Sequence, residues 1–240
     1  RRSSDLEKPM IRLDKLLGHS GYGTRKEIKS LCKNGDVTVN GEIVRDSSVK
    51  VDEGATVIVA GEKVEYEEVS YLMLHKPAGV VSATQDSRVR TVLDILPSRY
   101  AASRVAPVGR LDIDTTGLLL LSNDGTWAHK VISPKKHVPK VYEAQVEGVI
   151  PDDVGERFAA GIVLEDGLEC LPARAEKIAE GRLQITVCEG KFHQVKRMCS
   201  AVGLAVTALH RSRIGGLILD KDLKAGEYRK LTREEIDLPL

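Results

Sequence analysis

Aromatic residues are scarce in this chain of 240 residues: they make up 4% of it, with one Trp, two Phe and six Tyr. Few rings are on hand for stacking, so any ring beside reactive groups stands out. Cysteine is as sparse. Cys32, Cys170, Cys188 and Cys199 are scattered without a C-x-x-C pair, which argues against a disulfide frame or zinc knuckle and for reduced thiols in a cytoplasmic protein. No apolar run approaches the roughly 20 residues that cross a bilayer, and no signal-peptide pattern opens the chain, so no membrane partner is expected. His129, His137 and His210 have no partner at metal-ligand spacing, and no metal is expected. A phosphate-loop glycine motif is missing too, which disfavours a doubly wound nucleotide fold.

Net charge is only +1, and by itself it names no partner. Its distribution says more. Arg12, Lys15, Arg25, Lys26, Lys29 and Lys33 lie close together against two acids, Asp14 and Glu27. The stretch from Lys191 to Arg213 holds five Lys/Arg, with His193 and His210 and no acid. Two basic patches on a near-neutral chain suit phosphate contacts in two places, although either patch alone reads better as a solvated helix face.

Residues 1–9 read as a lead-in, with a compact unit at residues 10–66, a linker at 67–70 and a larger unit at 71–240. In the first unit Ile11, Leu13, Leu16 and Leu17 have helical spacing, and Gly18 to Gly23 make a turn. Thr24 then caps a second helix, with Glu27 three residues on as in a capping box. Asn34-Gly35 stops that helix, and Asn40-Gly41 turns between short strands. Gly61 to Val69 is charged and Glu-rich, as linkers are. From Tyr71 strands are expected at Tyr71 to Leu74, Leu118 to Leu121, Val141 to Val146 and Leu183 to Val187. Helices are expected at Thr91 to Leu96, Trp127 to Ile132, Pro151 to Ala160 and Phe192 to Val202. The order is no regular βαβ repeat, so the predicted class is α+β: a mixed, largely antiparallel sheet with flanking helices.

The run Gly109-Arg110-Leu111-Asp112-Ile113-Asp114-Thr115-Thr116-Gly117 feeds four leucines. It sets a carboxylate at the mouth of a stiff, buried strand. Asp112 and Asp114 either cap a turn or carry chemistry; the local pattern supports both. A calcium loop is excluded, since Asn123 stands where its closing Glu belongs. Two acids spaced by one residue on an extended strand face opposite ways, which makes a shared carboxylate pair, as in a hydrolase, awkward. In a helix over Phe192 to Val202, Val195, Met198, Cys199 and Val202 share one face. Lys196 falls at its margin, and Arg197 and His193 point away.

The Gly109–Gly125 run resembles the catalytic signature of the pseudouridine synthases, in particular those of the ribosomal small-subunit type. Arg12-Leu13-Asp14-Lys15 and Val37-Thr38-Val39-Asn40-Gly41 resemble the RNA-binding domain named after small-subunit ribosomal protein S-four. The second resemblance implies that Arg12, Lys15, Arg25, Lys26, Lys29 and Lys33 meet RNA. The first implies that Asp112 is the essential carboxylate and that Arg110 helps displace the target uridine. It implies Tyr142 as the ring that stacks on the flipped uracil and assists proton removal from C5. A basic residue pairs with the catalytic Asp, here Lys196, leaving Arg197 and His193 for phosphate. Ile214 and Leu217 are the aliphatic candidates for the uracil pocket, and His75-Lys76-Pro77-Ala78-Gly79 matches a tight family loop. The implied protein is a cofactor-free, cytoplasmic monomer that converts uridine to pseudouridine in 16S rRNA of an assembling small subunit. A large-subunit synthase of the same family, or a non-catalytic RNA-binding assembly factor, are the alternatives.

Overall fold

The computed structural model describes residues 9–240, so all but Pro9 of the expected lead-in lies outside the described residues. The chain divides into two compact units. One runs to Val69 and takes in Leu96–Val105; the other is formed by Ser70–Ile95 and Ala106–Leu240.

In the first unit β1 (Met10–Arg12) runs directly into α1 (Leu13–His19), and α2 (Arg25–Asn34) follows. Both halves of the expected capping box are present, Thr24 N donating to the Glu27 carboxylate at 2.6 Å and Glu27 N to Thr24 Oγ1 at 3.3 Å. β2 (Val37–Val39) and β3 (Glu42–Ile43) are joined by Asn40-Gly41, both left-handed, as a two-residue hairpin turn requires. β4 (Lys50–Asp52) pairs with β1, so Ile11 sits opposite Val51 in a strand rather than extending the helix its spacing suggested. β5 (Val57–Val59) and β6 (Glu62–Lys63) repeat the hairpin through Ala60-Gly61. The Glu-rich stretch is therefore partly sheet, and Val64 is buried in this unit's core. A left-handed Ala is a poor turn signal, which is why the hairpin does not show in the sequence.

The second unit is built on a nine-stranded sheet of β7 (Tyr71–Lys76), β8 (Ala106–Val108), β9 (Thr116–Ser122), β10 (Lys140–Glu147), β11 (Arg174–Ala179), β12 (Arg182–Val187), β13 (Ala205–Ile214), β14 (Leu217–Ile218) and β15 (Tyr228–Lys230). The order is β11-β12-β10-β13-β9-β7-β15, with β8 added to β9 and β14 to β13. Only the β9–β13 junction is parallel, so the sheet is mixed and largely antiparallel, as predicted. Thr91 to Leu96, expected as a helix, is a bridge and turns. Thr91 pairs with Val81, and Pro97 follows at once, leaving no room for a helical run. α3 (Ser98–Ala102) comes after it and belongs to the first unit, where Arg99 pairs with Glu65. α4 (Gly125–Ile132), α5 (Val154–Ala159), α6 (Gln194–Ala201) and α7 (Arg233–Ile236) complete the set; α5 is shorter than its predicted span.

The parallel junction depends on Gly117. It holds φ 110°, and a Cβ there would lie 2.2 Å from the carbonyl oxygen of Arg211 in the facing strand. No L side chain fits without separating β9 from β13. Gly117→Ala should therefore cost roughly 2–4 kcal/mol, a strained φ adding to a backbone clash. Urea unfolding of the variant checks this, and an unchanged midpoint would mean that the strands can part freely.

Candidate active site

The loop from Gly109 to Thr115 joins β8 to β9 and is pinned from below. Ser82 bonds Leu111 twice, Oγ donating to its carbonyl at 2.9 Å and accepting from its N–H at 3.0 Å. Gly79 N donates to Ile113 O at 2.8 Å. Lys76, at the end of β7, is wholly buried. Its ammonium donates to the carbonyls of Thr115 at 2.8 Å, Pro77 at 2.9 Å and Ile113 at 3.3 Å. Burial pulls the Lys76 ammonium down to about 8, against a smaller upward pull from Asp114 and Asp112.

Above the loop, Asp112 meets two basic side chains from the start of α6. Lys196 Nζ lies 3.2 Å from Asp112 Oδ2, and His193 Nε2 lies 3.5 Å from Asp112 Oδ1. Lys196 also reaches Asp114 Oδ1 at 2.7 Å. Partial burial would lower the Lys196 ammonium, but its bonds to Asp114 and then Asp112 outweigh that and raise it; the same contact, from Lys196, lowers Asp114. One cation thus holds two carboxylates. That corrects the expectation that Asp112 and Asp114 face apart: they sit in a turn closed by Thr115 N on Asp112 O at 3.1 Å, not on an extended strand.

His193 also differs from its expected orientation. The helix begins at Gln194, and His193 precedes it at φ 47°, which swings the ring toward Asp112 rather than away. Arg197, expected free for phosphate, is paired with Asp166 and donates to Phe192 O. Arg110 is exposed and has no hydrogen bond or ion pair among the described residues.

Tyr142 stands on β10 opposite Arg211 of β13. Its hydroxyl accepts from Arg211 Nη1 at 3.4 Å, and the guanidinium carbon lies 5.9 Å from the ring centre. Arg211 is itself buried. Its Nε donates to Leu118 O at 2.9 Å, while Nη2 has no hydrogen-bond partner among the described residues. No hydrogen bond joins Tyr142 to Asp112 among the described residues. Ile214 and Leu217 do not line an open pocket: both are 1% exposed, paired across β13 and β14, and packed with Met73, Leu118 and Trp127. Sequence reasoning missed Lys76 and Arg211 as individuals. For Lys76 the available signal was a charge at the end of the apolar strand β7; for Arg211, on the polar strand β13, there was none.

A pinned carboxylate loop, a lysine clasp and a tyrosine backed by arginine now have a context among known proteins. A family model described as RNA pseudouridylate synthase matches residues 70–201. The chain belongs to the RNA pseudouridylate synthase family. An S4 domain model matches residues 11–57. The chain is 46% identical over 233 residues to an uncharacterized RNA pseudouridine synthase, YtzG, of Bacillus subtilis, covering 95% of this chain and 98% of that one. It is 42% identical over 228 residues to ribosomal small subunit pseudouridine synthase A of Escherichia coli K12, covering 94% and 98%. A crystal structure of a pseudouridylate synthase matches 96% of this chain and all of its own length, at 35% identity and a TM-score of 0.69. The RNA pseudouridylate synthase match spans both carboxylates of the loop and the clasp of α6.

The buried lysine gives this member of the family a pH signature. Lys76 holds its proton below about 8 and loses it above, whereas an unfolded lysine holds it to 10.5. Between those values the unfolded chain binds more protons, so this group makes folding more favourable as pH rises. Loss of the proton also removes one donor from the loop's underside. The expected outcome is a catalytic rate that falls as pH rises through about 8 without loss of stability. Lys76→Met should be slower at every pH and lack that fall. Paired pH–rate profiles and thermal melts provide the check.

Proposed function

We propose that this protein isomerises a uridine of ribosomal RNA to pseudouridine, acting as a cytoplasmic monomer on 16S rRNA in the assembling small subunit. The observation that carries this reading is the Asp112 carboxylate, fixed by a pinned loop and met by Lys196 and His193. The reaction breaks the bond between N1 and C1′, turns the freed uracil and joins C5 to C1′. A proton leaves C5 and N1 takes one up; nothing is oxidised and no outside heavy atom enters. A carboxylate whose charge is matched by a neighbouring ammonium suits attack on, or stabilisation of, the sugar carbon. Asp114 shares the same cation and keeps the ammonium from being spent on Asp112 alone.

Tyr142 offers its ring to the detached base and its oxygen to the C5 proton, and Arg211 is placed to stabilise negative charge on that oxygen. Arg110, exposed beside the loop, is free to enter the stack the uridine leaves. The first unit acts as the RNA anchor and the second, Ser70–Ile95 with Ala106–Leu240, as the catalytic unit; Leu96–Val105, expected within the catalytic unit, groups with the anchor. On α2, Arg25, Lys26, Lys29 and Lys33 are all exposed and fall within about 100° of the helix circumference, a stripe suited to a phosphate backbone. Lys15 is exposed as well, whereas Arg12 is tied to Asp14 by two contacts of 2.7 and 3.0 Å. That tie leaves Arg12 little reach for phosphate.

Asp112→Asn should abolish pseudouridine formation while RNA affinity and the thermal melt stay near wild type. Mapping of modified uridines in rRNA from cells carrying each form is the measurement, and residual turnover of a few per cent would overturn the assignment. Replacing Arg25, Lys26, Lys29 and Lys33 together by Gln should flatten the plot of log affinity against log salt by a slope of about 3. An unchanged slope would mean that α2 does not touch RNA.

A further inference from the structure

Phe192 is 74% exposed at the edge of the Asp112 cluster, and nothing in the family assignment accounts for it. The chain has two phenylalanines; the other, Phe158, is fully buried. A single exposed apolar residue is ordinary on a protein surface. This one is not merely exposed. Its ring lies parallel to that of His193, with centres 3.8 Å apart and planes 17° from each other. That stack exists because His193 takes a left-handed backbone, uncommon for a residue with a side chain. His193 in turn touches Asp112. The inner face of Phe192 is covered by a ring in contact with the proposed reacting carboxylate, and its outer face is open to solvent.

The surroundings select the occupant. Ile113, between the two acids of the loop, is a second exposed apolar side chain at this rim. Lys191 and Lys196 lie one and four residues from Phe192 in sequence, and both are already paired with acids, Lys191 with Glu189 and Lys196 with Asp112 and Asp114. An open aromatic face beside a cluster of polar groups is what an unpaired nucleobase needs, since every base has a π-face. A peptide or lipid partner would leave the parallel ring geometry unused.

We infer that Phe192 is a stacking platform for the nucleobase beside the target uridine, holding the flanking strand while the uridine itself enters the site. This deepens the pseudouridine synthase reading and rests on it. His193 becomes the lower layer of the platform, coupling the flanking base to the position of Asp112. Stacking of this kind tolerates any base, so Phe192 adds affinity and register rather than sequence choice.

The test uses the full chain with Phe192→Trp, Phe192→Tyr, Phe192→Leu and Phe192→Ala. Trp127 is buried, so the introduced indole reports separately as a difference from wild type. Oligoadenylate should quench the new emission, and inorganic polyphosphate of equal charge should not. Binding of oligoadenylate by the Ala and Leu variants should weaken about tenfold, and the Tyr variant should match wild type. Melts should be unchanged, since the ring is outside the core. Equal quenching by polyphosphate, no quenching, or wild-type binding by the Ala variant would each overturn the platform. Pseudouridine formation in rRNA is assayed alongside. Product with wild-type affinity in the Ala variant sinks the stacking inference alone; base-specific quenching with no product from wild type sinks the enzymatic reading alone.

Discussion

A lysine shut away from water must find its partners in its own chain, and Lys76 finds three backbone carbonyls. Two of them, Ile113 O and Thr115 O, belong to the loop that carries Asp112 and Asp114. The cost of burying that charge is offset only while the loop keeps its shape, because a displaced carbonyl would leave a donor unmet. The loop is therefore as fixed as the sheet to which β7 belongs. Everything above it follows: the carboxylates project at set positions, and Lys196 can span both. The arrangement also sets positive charge on two sides of the acids, one ammonium below and one above, so two like charges can sit in one turn without forcing it open.

The Gly109–Gly125 run was legible as a glycine-flanked loop feeding a buried strand because it is long and local, although the shared orientation of its two acids was not. The capping box of α2 and the Asn40-Gly41 hairpin were legible for the same reason. What could not be read is what depends on partners far away in sequence. β13, the longest strand, carries Ala, Thr, His and Arg in place of an apolar alternation, and the pattern of Leu209, Arg211 and Ile214 facing inward is masked by a charge at its centre. Periodicity counts an arginine as outward. Lys76 was hidden likewise, since a lysine at a strand end reads as the place where the strand meets water. The rotation of His193 failed by a smaller margin: starting α6 at Gln194 instead of Phe192 changes which residues follow helical angles at all.

The two units divide electrostatic labour differently. On α2 the cations are spread along one stripe, exposed and unspecific, as suits a long anionic backbone. In the catalytic unit most basic side chains are already committed: Lys196 to two acids, Arg197 to Asp166, Arg211 to Leu118 O and Tyr142, Lys191 to Glu189. Charges spent on shaping a site contribute little long-range pull. Exposed cations along one stripe act at long range, whereas paired ones hold local geometry.

The strand order has a temporal meaning. Of the strands in this sheet β7 comes first in sequence, yet its two neighbours are β9 and β15, and β15 comes after all the others, with Tyr228 opposite Leu74. β9, in its turn, waits for β13. β9 is nonetheless met by β7 and β8, both made before it, whereas the outer edge of β7 stays raw until β15 arrives. Such long-range closure is slow and leaves apolar strands available to wrong partners in the meantime. For a nascent chain of this protein, the apolar residues Leu72, Met73 and Leu74 of β7 are the stretch most in need of a holding chaperone.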